Sequence, residues 1–139
     1  MSLVLPYVGE TAFLEILVNK YATDGSAGPS NGNRLLRLFT NNLTPTDSTV
    51  IGNITECTAA GYSAITLTGS SWTVATVSGV STASYPEQTF TMTATATVYG
   101  YYVTTLGGAL LWIERFSGAP FNLPSGGGQI SITPKANLA

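Results

Sequence analysis

Residues 90–103, FTMTATATVYGYYV, place a hydroxyl or an apolar residue at alternate positions and carry no charge. This period of two is that of a β-strand, which sends successive side chains to opposite faces. Phe90, Met92, Ala94, Ala96 and Val98 share one face, and Thr89, Thr91, Thr93, Thr95 and Thr97 share the other. A slip of one residue would bury five hydroxyls, so the apolar set must face a core. Threonine is β-branched and suits a pleated surface better than a helix. The chain is therefore expected to be mainly β, with an outer wall that is neither charged nor greasy.

The rest of the sequence agrees. Its 139 residues suit one domain that can bury a core without a metal or disulfide scaffold. Charged residues make up 9% of it, against about 25% in ordinary soluble domains. Five Lys and Arg against seven Asp and Glu provide no basic field for phosphates, so nucleic acid is not an expected partner. No apolar run nears the length of a spanning helix, no signal-peptide pattern opens the chain, and no membrane partner is expected. The single Cys57 reads as a small buried apolar residue in a reducing compartment.

Four regions are expected. Residues 1–8, MSLVLPYV, form an apolar N-terminal arm that either extends onto a neighbour or serves as an ordinary edge strand. Residues 9–22 predict an amphipathic helix, with Thr11, Glu15 and Asn19 opposite Phe13, Ile16, Leu17 and Tyr21. Residues 23–33 read as a flexible loop. Residues 34–139 read as a β-sandwich or jelly-roll of seven or eight strands. Within it, 62–68 and 71–77 suggest a hairpin about Gly69 and Ser70, and 79–88 reads as a loop. Gly100 suits a bulge or bend where the chain passes between sheets.

Chemistry is sparsely provided for. Histidine is absent, which removes the commonest general base and transition-metal ligand. One cysteine cannot supply a zinc site, and SGGGQ at 125–129 lacks the P-loop lysine. Glu114, inside WIERF, has two readings: a perturbed acid in a cleft, or a strand carboxylate facing solvent or paired with Arg34 or Arg37. A glycan hydrolase would need a second carboxylate across a cleft. The expectation is a non-enzymatic protein with no cofactor, metal or small-molecule substrate. Tyr99, Tyr101, Tyr102 and Trp112 are divided between a stacking platform for sugars or bases and a mixture of core and subunit contact. Leu3, Leu5, Tyr7, Tyr101 and Tyr102 are the candidate partner-interface residues.

The segments RLFTNNLTPTDSTV, GYSAITLT with SWTV, YPEQTFT with VYGYYV, and LLWIERF with ISITPKANLA resemble a family of small virion proteins of tailed bacteriophages. The likeness runs from the helix near residue 9 to the end. It implies a structural protein of the particle and supplies no catalytic residues. Among such proteins, capsid decoration or cement proteins are small, β-rich and commonly trimeric. The resemblance thus implies a homotrimer made in the host cytoplasm, docked on the outer surface of the capsid and bridging capsomers of the major capsid protein. A tail, fibre or baseplate component, with receptor binding as its role, is the alternative.

Overall fold

The computed structural model describes residues 4–18 and 33–138. Among the described residues one α-helix, α1 (Tyr7–Val18), precedes eleven short strands: β1 (Arg34–Phe39), β2 (Ile65–Leu67), β3 (Thr73–Val77), β4 (Val80–Ser84), β5 (Gln88–Met92), β6 (Ala96–Val98), β7 (Gly100–Thr105), β8 (Leu110–Arg115), β9 (Phe121–Leu123), β10 (Gly128–Ile132) and β11 (Lys135–Leu138). All pairings are antiparallel, in sheets ordered β2-β1-β7-β8, β11-β4-β3, β10-β5 and β6-β9. The fold is the expected mainly-β sandwich with one short helix. A single core joins the sheets through Leu36, Leu38, Phe90, Met92, Val98, Tyr101 and Val103, with Leu14 and Val18 arriving from α1.

The threonine alternation is realised except at Ala94, which is half-buried in a bend. Phe90, Met92, Ala96 and Val98 are buried, while Thr89, Thr91, Thr93, Thr95 and Thr97 are exposed. The run is not one strand, because the chain bends over residues 93–95 between β5 and β6. Its hydroxyls bond across the ladders: Thr89 with Ser131 at 2.8 Å, Thr91 from Gln129 at 3.2 Å, and Thr97 to Asn122 at 3.0 Å. Gly100 sits where the chain leaves β6 for β7 in another sheet, as its position suggested. A Cβ there would strike the Glu114 carbonyl and the Phe39 ring, so close approach is what requires the glycine.

The expected hairpin between 62–68 and 71–77 does not form. β2 pairs with β1, and a 3-10 turn at Gly69–Ser71 carries the chain to another sheet, where β3 pairs with β4. The Thr68 amide donates to the Tyr85 hydroxyl at 2.9 Å, and Trp72 packs edge-on to Tyr85 and Trp112. The hairpin is instead β3–β4: β3 falls in the expected strand 71–77, and β4 lies inside the stretch read as a loop. Ser78 (φ 51°) and Gly79 (φ 79°) are both left-handed, matching the strand-twisting two-residue turn. Cys57 is buried, as expected.

The helix differs in position and roll from its sequence reading. It begins at Tyr7, so residues 7–8 of the expected arm belong to its first turn, where the amides of Gly9 and Glu10 donate to Pro6 O. Residues 19–22 and most of the expected loop at 23–33 lie outside the described residues. Glu10, Leu14 and Val18, four apart, form the buried stripe, while Phe13 and Ile16 face outward. A carboxylate thus sits under the helix and a phenyl ring on top. Glu10, 7% exposed, is held by the Ser81 hydroxyl at 2.6 Å. At the other end, the Arg34 guanidinium donates to the carbonyls of Leu17 (2.7 Å) and Ile16 (3.3 Å), satisfying orphan acceptors of the last turn.

Candidate functional site

The outward side of α1 and the residues before it form an apolar surface. Val4 is 78% exposed, Val8 82% and Phe13 61%; Leu5, Tyr7 and Ile16 add to it. An exposed large apolar patch is informative, whereas single exposed apolar residues are ordinary. A helix apolar on both sides normally has cover on both sides. Here one side rests on β3, β4 and β11 and the other is bare. Leu5 and Tyr7, expected at a partner interface, lie on this surface; Leu3 is outside the described residues.

Tyr101 and Tyr102 do not join them. Each is 3% exposed, so neither offers a ring to another subunit. β7 is the second strand in from the β8 edge of its sheet and is covered on both faces. Tyr101 points into the core. Tyr102 lies on the other side under a polar knot built around Glu56. There Arg37 Nη1 donates to both Glu56 oxygens at 2.8 and 2.9 Å, and the Tyr62 hydroxyl donates to Oε1 at 2.8 Å. The Leu38 amide in turn donates to the Tyr62 oxygen at 3.2 Å. Burial, then the Glu56 charge, pushes the Tyr102 hydroxyl up to about 12; burial pushes Tyr62 higher still. The knot borders a hollow of about 300 Å³ with Ile51 and Ile54 at its rim. Arg37 is committed to Glu56, so the cluster is a strut that ties residues 51–57 to the sheet.

The larger concavity, about 400 Å³, is a groove between α1, β8 and β11, walled by Phe13, Leu14 and Leu17, by Trp112, Ile113 and Glu114, and by residues 135–138. Its volume lies within the range of ligand clefts, and its walls are mainly apolar with a few polar groups. Glu114 belongs here and pairs with neither Arg34 nor Arg37. It accepts a 2.6 Å hydrogen bond from the Tyr101 hydroxyl, which also feels the Lys135 amide across the gap. Burial first, and then Glu114, pushes the Tyr101 hydroxyl well above the usual phenol range. The buried Trp112 Nε1 makes no well-formed hydrogen bond, although it acts on the same hydroxyl.

β8 and β11 are each the edge strand of their sheet. The Glu114 carbonyl faces Gly100 and the Phe116 amide donates to Tyr99 O, so this end of β8 bonds inward at even-numbered residues. The backbone groups of Ile113 and Arg115 therefore face away from β7. Sequence reading singled out Glu114 without its neighbours; the signal available was an apolar strand, LLWIERF, and a terminal PKANL segment. What it lacked was that both would be edges facing one another.

The four aromatics expected as a platform are dispersed. Tyr99 lies under the Arg115 guanidinium, 5.0 Å from ring centre to Cζ, Trp112 stacks edge-on with Trp72 at 5.9 Å, and the two other tyrosines are buried. No family model matches the chain, and no curated relative or solved structure matches it either.

Proposed function

We propose that this chain is a non-enzymatic structural protein of a bacteriophage particle. In this reading it is a decoration protein that docks as a homotrimer on the outer surface of the major capsid protein and bridges neighbouring capsomers. The observation that carries the association role is the bare side of α1, where Val4, Val8, Phe13 and Ile16 face solvent while Glu10 lies beneath. Covering one such side chain contributes roughly 1.5–3 kcal/mol, so a few supply useful affinity. The uncharged hydroxyl wall of Thr89, Thr91, Gln129 and Ser131 also supports it, because such a face meets a neighbour without stripping ions of water. The phage setting rests on the resemblance of segments such as TNNLTPT and VYGYYV.

The test is occupancy on purified shells. Wild type is expected to bind at a copy number rivalling the major capsid protein, and Phe13→Glu to be lost from shells while melting normally. Full occupancy by Phe13→Glu, and by a chain lacking residues 2–8, would remove this surface from the mechanism. The same hydroxyl wall would also suit hydrogen bonding to a receptor glycan, which favours the second reading, a tail, fibre or baseplate component. Low copy number per particle on a stained gel distinguishes it.

A further inference from the structure

Resting on that reading of the chain as an assembly component, we propose that the groove between α1, β8 and β11 receives the N-terminal segment of a second copy, added as a strand along the free edge of β8. Two observations converge on it. The groove offers outward backbone groups at Ile113 between apolar walls, the combination by which an extended peptide adds to a sheet edge. The segment before Pro6, MSLVL, is apolar apart from Ser2 and has no charged side chain, and Val4 in its described part faces solvent. Alternation puts Leu3 and Leu5 on one face, toward Trp112 and Leu17, and Val4 on the other.

The donor is another copy because the chain's own segment starts from the wrong end. Leu5 packs over Gly9 in the first turn of α1, and the Tyr7 hydroxyl lies at Gly79 on the β3–β4 turn. Residues 4–6 do not line the groove, whose helical wall begins at Phe13, about 9 Å further along the axis from Tyr7. Pro6, which has no amide to donate, ends the added strand and starts the helix. Each copy both gives a segment and receives one: reciprocal exchange closes a two-fold pair, and onward exchange from copy to copy closes into a ring when the rotation allows.

The test uses the full chain with single introduced cysteines, since Cys57 is buried. A Val4→Cys chain is mixed under mild oxidation with a size-tagged Asn137→Cys chain, Asn137 being an exposed groove residue. A parallel mixture uses Thr89→Cys, on the hydroxyl wall, as control. The mixed disulfide is expected with Asn137→Cys and not with Thr89→Cys. It is expected to vanish when the Asn137→Cys chain also carries Ile113→Pro, which removes an outward amide and no ladder bond. Sedimentation is expected to shift from oligomer to monomer for Val4→Asp, an exposed site whose substitution leaves the fold intact. Absence of the mixed disulfide, equal cross-linking to Thr89→Cys, or unchanged sedimentation of Val4→Asp would overturn the proposal. Shell binding measured alongside separates the two ideas: wild-type and Val4→Asp chains that bind shells equally as monomers retain the decoration role and lose the strand exchange.

Discussion

Replacing Ser81 with alanine tests how α1 is fastened to the sheet. Ser81 is fully buried, and its Oγ lies 2.6 Å from Glu10 Oε2 and 2.7 Å from Thr76 Oγ1. A hydroxyl has one proton to give. It goes to the carboxylate, so Thr76 must donate to Ser81. The alanine variant therefore strips a buried carboxylate of a charge-assisted bond, a loss of about 1.5–3 kcal/mol. Thr76 is less deeply buried and regains its bond from water, adding little. The expected cost is about 2–3 kcal/mol, or a drop of roughly 6–12 °C in Tm for a domain of this size. Urea unfolding followed by tryptophan fluorescence and far-UV circular dichroism reads it. Thr76→Ala is expected to cost less than about 1 kcal/mol, and the Glu10→Gln/Ser81→Ala cycle to show coupling of about 1 kcal/mol or more. A Ser81→Ala loss below about 0.5 kcal/mol, or equal losses at Thr76 and Ser81, would refute the assigned direction of donation.

Three further outcomes are expected. Tyr62, Tyr101 and Tyr102 all have raised hydroxyl values, so above pH 10 the folded chain holds protons that the unfolded chain has released. Stability should be level below the ordinary tyrosine value of 10.0 and fall as pH climbs toward about 12, which urea midpoints across that range will show. Gly100→Ala should cost at least about 1–3 kcal/mol, because its methyl meets the Glu114 carbonyl and the Phe39 ring; a thermal melt within a degree of wild type would contradict this. Glu56→Gln should cost about 1 kcal/mol, since the Arg37 pair is partly exposed, and should become cheaper in high salt.

Legibility in the sequence followed the range of the interactions. The Thr89–Thr97 alternation predicted which side chains are buried because that property is local to a strand. Ser78–Gly79 was a readable hairpin signal overlooked beside the more conspicuous Gly69–Ser70, whose 3-10 turn depends on where Trp72 and Tyr85 pack. The roll of α1 was hidden because Glu10 is solvated by Ser81, 71 residues away, a partner no helical period reveals. Tyr101 and Tyr102 read as surface aromatics until β7 proved to be covered on both faces. The groove was the least legible part, since it exists only where the β8 and β11 edges meet beside the helix.

The ladder of Thr89, Thr91, Thr97, Asn122, Gln129 and Ser131 holds no ionisable side chain. Contact made through that wall has no counterions to shed and no protons to exchange, so its strength stays level from dilute buffer to brine. A surface of this kind can be put together in one medium and carried into another without being reset.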